Sequence, residues 1–127
     1  MPKKRIFVAD DQEEVLSMLN DLLTSKGFEV TASKDPEQLI KLIKSFKPDL
    51  ILLDLLMPDL DGFEICRILN SDKEAQSIPI IIMSGLSDQV DIKRAYSLGV
   101  VDYLVKPFDL NKVIAQIEKA IANKERL

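Results

Sequence analysis

Apolar residues along this chain follow two alternating patterns. In the first, short continuous apolar runs predict five β-strands, at residues 5–9, 28–33, 50–54, 79–83 and 101–105. The run of four aliphatic residues before Asp54 is typical of a strand buried on both faces, as strands of parallel sheets are. Polar residues interrupt the run at 28–33, so we expect that strand near an edge of the sheet.

In the second pattern, apolar residues recur every three or four positions, which predicts five amphipathic helices between and after the strands. Four of the predicted helices cover residues 12–26, 35–46, 87–99 and 109–123. The third helix along the chain follows a polar loop at 58–62. Gly27 would cap the end of the first helix, and Asp35 with Pro36 would begin the second. This alternation predicts an α/β fold, a doubly wound five-stranded parallel sheet with right-handed crossovers and helices on both faces.

The composition narrows the class of function. With 127 residues, 46% of them apolar and 30% charged, the chain fits one domain, residues 1–127, that folds without metal or disulfide support. A net charge of -4 argues against direct binding of nucleic acid. Histidine is absent and Cys66 is the sole cysteine, which excludes histidine-dependent catalytic pairs, histidine-ligated zinc and an internal disulfide. Since the sequence shows no signal peptide or membrane-spanning run, we expect a cytoplasmic protein without membrane association.

Polar residues stand at the ends of the apolar runs. Because parallel strands open their carboxyl ends on one edge of a sheet, we expect these residues to converge there: Asp10, Asp11, Asp54, Ser84 and Lys106. Three carboxylates in one cleft suit Mg²⁺, with Mn²⁺ as an alternative. The ammonium and hydroxyl groups complement the oxygens of a phosphoryl group, so the set indicates phosphoryl transfer onto Asp54.

Each of these residues has a simpler interpretation when it is taken alone. Asp10 or Asp11 could cap the first helix, with Glu14 completing a capping box. Ser84 could be an ordinary loop hydroxyl, and Lys106 a solvated charge at a strand end. Only their predicted convergence favours a shared chemical role.

The motifs at these positions resemble those of the response-regulator receiver domains, the phosphoacceptor modules of two-component signalling. The resemblance covers residues 4–124 and rests on Val8-Ala9-Asp10-Asp11, Leu53-Asp54, Met57-Pro58, Asp61-Gly62, Met83-Ser84-Gly85 and Asp102-Tyr103-Leu104-Val105-Lys106-Pro107-Phe108. It implies the flavodoxin-like strand order 2-1-3-4-5. It also implies a signalling switch that promotes its own phosphorylation and dephosphorylation, and not an enzyme in the usual sense.

The resemblance implies roles for the individual site residues. Asp54 would receive a phosphoryl group from a sensor histidine kinase or a histidine phosphotransfer protein and become 4-aspartylphosphate. Asp11, Asp54 and the backbone carbonyl of Leu56 would hold Mg²⁺, while Asp10 would act mainly through a water molecule. Lys106 would pair with the phosphoryl group.

The resemblance also implies a conformational switch. Ser84 would move to hydrogen-bond the phosphoryl group, and Tyr103 would turn into the space that Ser84 leaves. The face formed by helix four, strand five and helix five would then control a partner or output domain, and a phosphorylation-dependent dimer through this face is a further expectation. The peptide bond before Pro107 would be cis. A purely packing role for Tyr103 is the alternative.

Three other classes of protein use related sequence features. A haloacid-dehalogenase-like phosphatase needs Asp-x-Asp after strand one, which Asp10-Asp11-Gln12 does not supply. A flavin-binding relative needs a phosphate-binding loop where this chain has Asp-Asp-Gln-Glu-Glu. A receiver-shaped module that works without phosphorylation is disfavoured by the complete set of site residues. Leu56 and Leu86 replace polar residues that many receivers carry, so we expect slow self-dephosphorylation.

Overall fold

A computed structural model describes residues 2–125 of the chain. Five strands form one parallel sheet: β1 (Arg5–Ala9), β2 (Glu29–Ser33), β3 (Leu50–Asp54), β4 (Ile80–Ser84) and β5 (Asp102–Val105). The helices that alternate with them are α1 (Glu13–Ser25), α2 (Leu39–Phe46), α3 (Gly62–Ser71), α4 (Gln89–Ser97) and α5 (Leu110–Glu125). The strand order is β2-β1-β3-β4-β5, which confirms both the predicted fold class and the order that the resemblance implied.

The central strand β3 joins two hydrophobic cores. All five of its residues are buried, and successive side chains alternate between the two faces of the sheet. Leu50 and Leu52 pack in the core beneath α1 and α5, while Ile51 and Leu53 pack in the core beneath α2, α3 and α4. Burial on both faces therefore explains the uninterrupted aliphatic run.

Gly27 ends helix α1 as the sequence predicted. Its φ of 91° lies in the left-handed region that glycine adopts without strain. The Phe28 N–H donates to the Leu23 carbonyl at 3.0 Å, and the Gly27 N–H donates to the Thr24 carbonyl at 3.0 Å. These two bonds satisfy carbonyls at the helix end and turn the chain toward β2.

The structure differs from the prediction around three elements. The second helix begins with a 3-10 turn at Pro36–Gln38, in which the Asp35 carboxylate accepts from the Glu37 N–H at 3.0 Å. Strand β4 runs one residue later than predicted, so Ser84 is its last residue and does not follow it. A two-stranded antiparallel ladder joins Leu56–Met57, just before the predicted loop at 58–62, to Leu60–Asp61 within it.

A tight turn explains that ladder. Pro58 fixes its own φ, and Asp59 adopts a φ of 59°, the arrangement of proline followed by a left-handed residue that a type II turn requires. The turn directs the chain into α3, whose first residue, Gly62, lies against the backbone of Leu55. Within residues 2–125, no helix combines the length and the apolar character that crossing a membrane demands.

Candidate functional site

The predicted site residues meet at the carboxyl edge of the sheet. Asp10 directly follows β1, Asp54 ends β3, Ser84 ends β4, and Lys106 directly follows β5. The four strands are consecutive neighbours in the sheet, so their ends are brought side by side. Asp11, on the loop after β1, completes the set.

Three carboxylates form the acidic side of the site. One oxygen from each of Asp10, Asp11 and Asp54 lies within 4.8 Å of the others. Asp10 is fully buried and Asp54 is 3% exposed. A backbone N–H fixes one oxygen of each buried group, since Gln12 donates to Asp10 Oδ1 at 2.9 Å and Leu56 donates to Asp54 Oδ1 at 3.0 Å. The second oxygen of each buried group accepts from Lys106.

Lys106 supplies the opposing charge. Its Nζ donates to Asp10 Oδ2 at 2.7 Å, to Gln12 Oε1 at 3.1 Å and, more weakly, to Asp54 Oδ2 at 3.4 Å. The side chain is 18% exposed, so the ion pairs are largely shielded from solvent. Three carboxylates against this one ammonium leave two formal negative charges uncompensated.

The electrostatics of Asp54 reflect this surplus. Burial raises the pKa of the Asp54 carboxyl because the anion loses solvation, and the nearby Asp10 carboxylate raises it as well. The Leu56 N–H and the Lys106 ammonium act in the opposite direction, but the pKa remains above its ordinary value. An isolated Asp54 anion is therefore costly in this fold, and a cation would relieve the cost.

The donor set fits a divalent metal ion. Mg²⁺ and Mn²⁺ prefer hard oxygen ligands, and the three carboxylates match that preference. One of the three, Asp11, is only half-buried. The missing positive charge equals that of one divalent ion. A cavity of about 360 Å³ opens at the same place, lined by Asp11, Gln12, Asp54, Leu56, Gly85 and Lys106.

Ser84 and Tyr103 meet at the backbone of Leu86. The buried Ser84 Oγ accepts from the Leu86 N–H at 3.1 Å, and the Tyr103 hydroxyl donates to the Leu86 carbonyl at 2.8 Å. Tyr103 is 9% exposed, and burial raises the pKa of its phenol. The loop after β4 is thus tied to both side chains that the resemblance named as switch residues.

The remaining predicted features also lie at this edge. The Lys106–Pro107 peptide bond is cis, the isomer that the resemblance implied. Leu56 stands beside Asp54 with its side chain 54% exposed. The alternative capping role is not seen, because the N-cap of α1 is Gln12 and neither aspartate, and Gln12 makes no side-chain capping bond.

Sequence reasoning missed one residue of the site, Gln12. Its carboxamide reaches Lys106 across the cleft, although the two residues lie 94 positions apart. The available signal was its position, directly after the two aspartates and at the start of α1, where a side chain can point over the carboxyl edge. Its contact with Lys106 depends on a rotamer that no sequence pattern specifies.

Comparisons with known proteins agree with this geometry. The response regulator receiver domain model matches residues 6–118. The DNA-binding response regulator MtrA of Mycolicibacterium smegmatis is 31% identical over 123 residues, which is 97% of this chain and 53% of the relative. The chain thus spans about half the length of the curated relatives it matches.

Solved structures show the same architecture. A two-component response regulator from Clostridium difficile is 27% identical, with a TM-score of 0.88 over 94% of this chain and 97% of that one. The receiver domain of the sensor histidine kinase PA1611 from Pseudomonas aeruginosa, with a magnesium ion coordinated in its active site cleft, is 26% identical, with a TM-score of 0.85 over 95% of this chain and 99% of that one. Sequence, fold and site together establish that this chain belongs to the response regulator receiver domain family.

Proposed function

We propose that this receiver domain accepts a phosphoryl group on Asp54, with Mg²⁺ as cofactor, and uses the modification to switch a surface that a partner reads. One observation carries the proposal: the buried Asp54 carboxylate lies within reach of the Lys106 ammonium and beside two further carboxylates at the edge of the sheet. Receiver domains act as signalling switches and are not classed as enzymes, and this chain is proposed to work in the same way.

The transfer needs little covalent machinery from the protein. A carboxylate oxygen of Asp54 forms a bond to phosphorus while the P–N bond of a phosphohistidine breaks, and the electron pair of that bond stays on the imidazole nitrogen. Lys106 lies within reach of Asp54, so its ammonium can pair with the phosphoryl oxygens as they arrive. The backbone N–H of Leu56 holds one oxygen of Asp54 and so orients the nucleophile.

Asp10, Asp11, Asp54 and the backbone carbonyl of Leu56 are proposed to hold Mg²⁺, which would neutralise charge on the carboxylates and the phosphoryl group. The charge surplus at the site and the oxygen-only donors support this assignment. The magnesium ion named for the related receiver domain of PA1611 supports it as well.

The switch is proposed to run through Leu86. Phosphorylation adds close to two negative charges, and the buried Ser84 hydroxyl lies at the carboxyl end of β4. If Ser84 turns toward the phosphoryl group, it gives up its bond to the Leu86 N–H, and the Leu86 carbonyl is held by Tyr103. The position of the loop after β4 would then follow the state of Asp54.

The surface that reports this change is proposed to be the face of α4, β5 and α5. It exposes large apolar side chains that a partner or a second copy could cover: Val90, Tyr96 and Val105. The phosphodonor would be a sensor histidine kinase or a histidine phosphotransfer protein. The reader of the switched face would be an output domain or a separate protein.

Incubation with Mg²⁺ and acetyl phosphate tests the proposal. Intact-mass analysis should show one added phosphoryl group that alkaline hydroxylamine removes, and Asp54→Asn should abolish the addition. Asp59→Asn is the matched control, since Asp59 lies exposed in the next turn and asparagine tolerates its positive φ. If wild-type protein gains no phosphate, the module works without phosphorylation, and if phosphate is gained but survives Asp54→Asn, the acceptor lies elsewhere.

The phosphorylated state is proposed to decay slowly. Leu56 is exposed two residues after Asp54, and Leu86 is half-buried two residues after Ser84, so neither of these side chains offers a group that could orient an attacking water. Leu56→Asn should shorten the half-life of the phosphorylated protein by about threefold to tenfold, the effect of one added hydrogen bond. Leu42→Asn, at an exposed position of α2, should leave it unchanged. A wild-type half-life of only seconds would contradict the proposal.

A further inference from the structure

We infer that Gln12 is a positioning residue for Lys106, which keeps the ammonium aimed at Asp54 and yields when the phosphoryl group arrives. The inference rests on the function proposed above and adds a residue to it. A lysine ammonium has three N–H donors, and Lys106 has three acceptors, on Asp10, Gln12 and Asp54. Three acceptors therefore hold the ammonium, and each of its N–H donors has a partner.

The three acceptors differ in strength. Asp10 is a fully buried carboxylate at 2.7 Å, which makes the shortest and strongest bond. Gln12 is neutral and exposed, so its bond to Lys106 is the one most easily replaced by water or by a charged oxygen. An incoming phosphoryl oxygen would therefore take the donor that points to Gln12, while Asp10 continues to anchor the lysine.

The side chain of Gln12 is free for this role. Gln12 occupies the N-cap of α1, but the bond there is made by its backbone N–H, which donates to Asp10 Oδ1 at 2.9 Å. The side chain makes no capping bond and lines the cavity that contains Asp54. Once the Lys106 donor has left, the carboxamide can rotate and present its own N–H groups to the phosphoryl oxygens.

Charge explains why a neutral residue suits this position. A carboxylate here would pair more strongly with Lys106 but would add a fourth negative charge to a site that already has two in excess. That charge would repel the phosphodonor. A glutamine supplies the acceptor without the repulsion.

Two near-isosteric variants separate these effects. Gln12→Met keeps the length and shape of the side chain but cannot accept a hydrogen bond, and its maximal rate of phosphorylation by acetyl phosphate should fall about threefold to tenfold. Gln12→Glu keeps an acceptor but holds Lys106 more tightly and adds a negative charge, so its maximal rate should fall and its half-saturating acetyl phosphate concentration should also rise. Gln76→Met, at an exposed glutamine on the opposite edge of the sheet, should match the wild type in both quantities.

A second measurement does not depend on phosphorylation. The Lys106 ammonium should give a ¹H–¹⁵N NMR signal, identified by its loss in Lys106→Met, whose hydrogens exchange with water several times faster in Gln12→Met than in the wild type. Equal exchange rates would overturn the inference, as would equal maximal rates of phosphorylation. If the wild type gains no phosphate on Asp54, the proposed function fails, but the exchange comparison still decides whether Gln12 holds Lys106. Thermal unfolding midpoints should agree among the variants, and a large drop in Gln12→Met alone would indicate a structural role instead.

Discussion

The two edges of the sheet carry similar residues in opposite arrangements. At the amino edge, charged side chains form pairs of opposite sign, such as the solvent-accessible pair of Arg5 with Glu29 and the half-buried pair of Lys44 with Asp72. At the carboxyl edge, two buried carboxylates share the Lys106 ammonium, and a third, half-buried carboxylate lies beside them. Exposed pairs contribute little to stability, whereas buried like charges oppose folding. The charges of the amino edge are thus paired. The carboxyl edge keeps an unfavourable cluster of carboxylates that a metal ion and a phosphoryl group can use.

Cavity size does not distinguish the two edges. The amino edge contains a cavity of about 450 Å³, larger than the one beside Asp54. Two of its charged groups have partners, because Lys44 donates to Asp72 and Asp49 accepts from the backbone N–H of Arg5. The smaller cavity is the one that lies beside three clustered carboxylates, so the clustering of like charge, more than volume, identifies the functional edge.

The largest effect should come from removing the central cation. Lys106→Met leaves the carboxylates of Asp10 and Asp54 buried without their partner, and it should lower the free energy of unfolding by about 2–4 kcal/mol, somewhat less than for a fully shielded pair. Urea denaturation without metal measures this loss. Added Mg²⁺ should restore part of it, because ligand that binds the folded state stabilises that state.

Lys44→Met is the matched control at the amino edge. It removes a lysine from an ion pair that is only partly buried, so the denaturation midpoint should fall far less than in Lys106→Met. Equal losses in the two variants would show that the edges do not differ electrostatically.

Backbone packing should separate the edges as well. A Cβ on Gly62 would lie 2.5 Å from the Leu55 Cα, so Gly62→Ala must displace the loop that follows Asp54, at a cost of about 1–3 kcal/mol. At the amino edge, a Cβ on Gly27 meets nothing within 4 Å, and Gly27→Ala suffers only the strain of its positive φ, about 1 kcal/mol. Thermal unfolding of both variants ranks the two costs, and a smaller loss for Gly62→Ala would indicate that the loop adapts easily.

The difference between the edges was largely predictable from sequence. Apolar runs that end in Asp54 or precede Lys106 locate the carboxyl edge, because the chain direction of parallel strands is shared. Hydrophobic pattern alone does not give the strand order, which came from the family resemblance. The alternation of side chains on β3 between two cores follows from strand geometry alone.

The details that escaped prediction are short or depend on rotamers. Two-residue strands at Leu56–Met57 and Leu60–Asp61 are too brief to leave an alternating pattern. The contact of Gln12 with Lys106 and the bond from Tyr103 to the Leu86 carbonyl join residues that are distant in the chain. Tertiary packing selects these side-chain positions, so they become visible only in three dimensions.

The smallest effect should be a gain in stability when the phosphoacceptor loses its charge. Because burial raises the pKa of Asp54, the folded protein binds a proton there more tightly than the unfolded chain does. Protonated Asp54 therefore stabilises the folded protein at pH values below 3.8, the ordinary pKa of the group. This stabilisation is lost as the pH rises through the higher pKa of the folded state. An asparagine side chain cannot ionise, so Asp54→Asn should raise the free energy of unfolding at neutral pH by about 1 kcal/mol, in the usual range for relieving an unfavourable functional charge.

The pH dependence makes this last prediction specific. The stability of Asp54→Asn minus that of the wild type should be smallest near pH 4 and should grow toward neutral pH, because only the wild type has an Asp54 carboxyl to deprotonate over that range. Denaturation series at several pH values, without metal, measure the difference. Mg²⁺ should shrink or reverse this difference, since the metal favours the ionised carboxylate.

Asp72→Asn at the amino edge should show the opposite pH dependence, because the partner Lys44 lowers the pKa of Asp72 and that aspartate stabilises the fold when ionised. If both variants lost stability relative to the wild type as the pH rises, buried charge would not be what distinguishes the carboxyl edge from the amino edge.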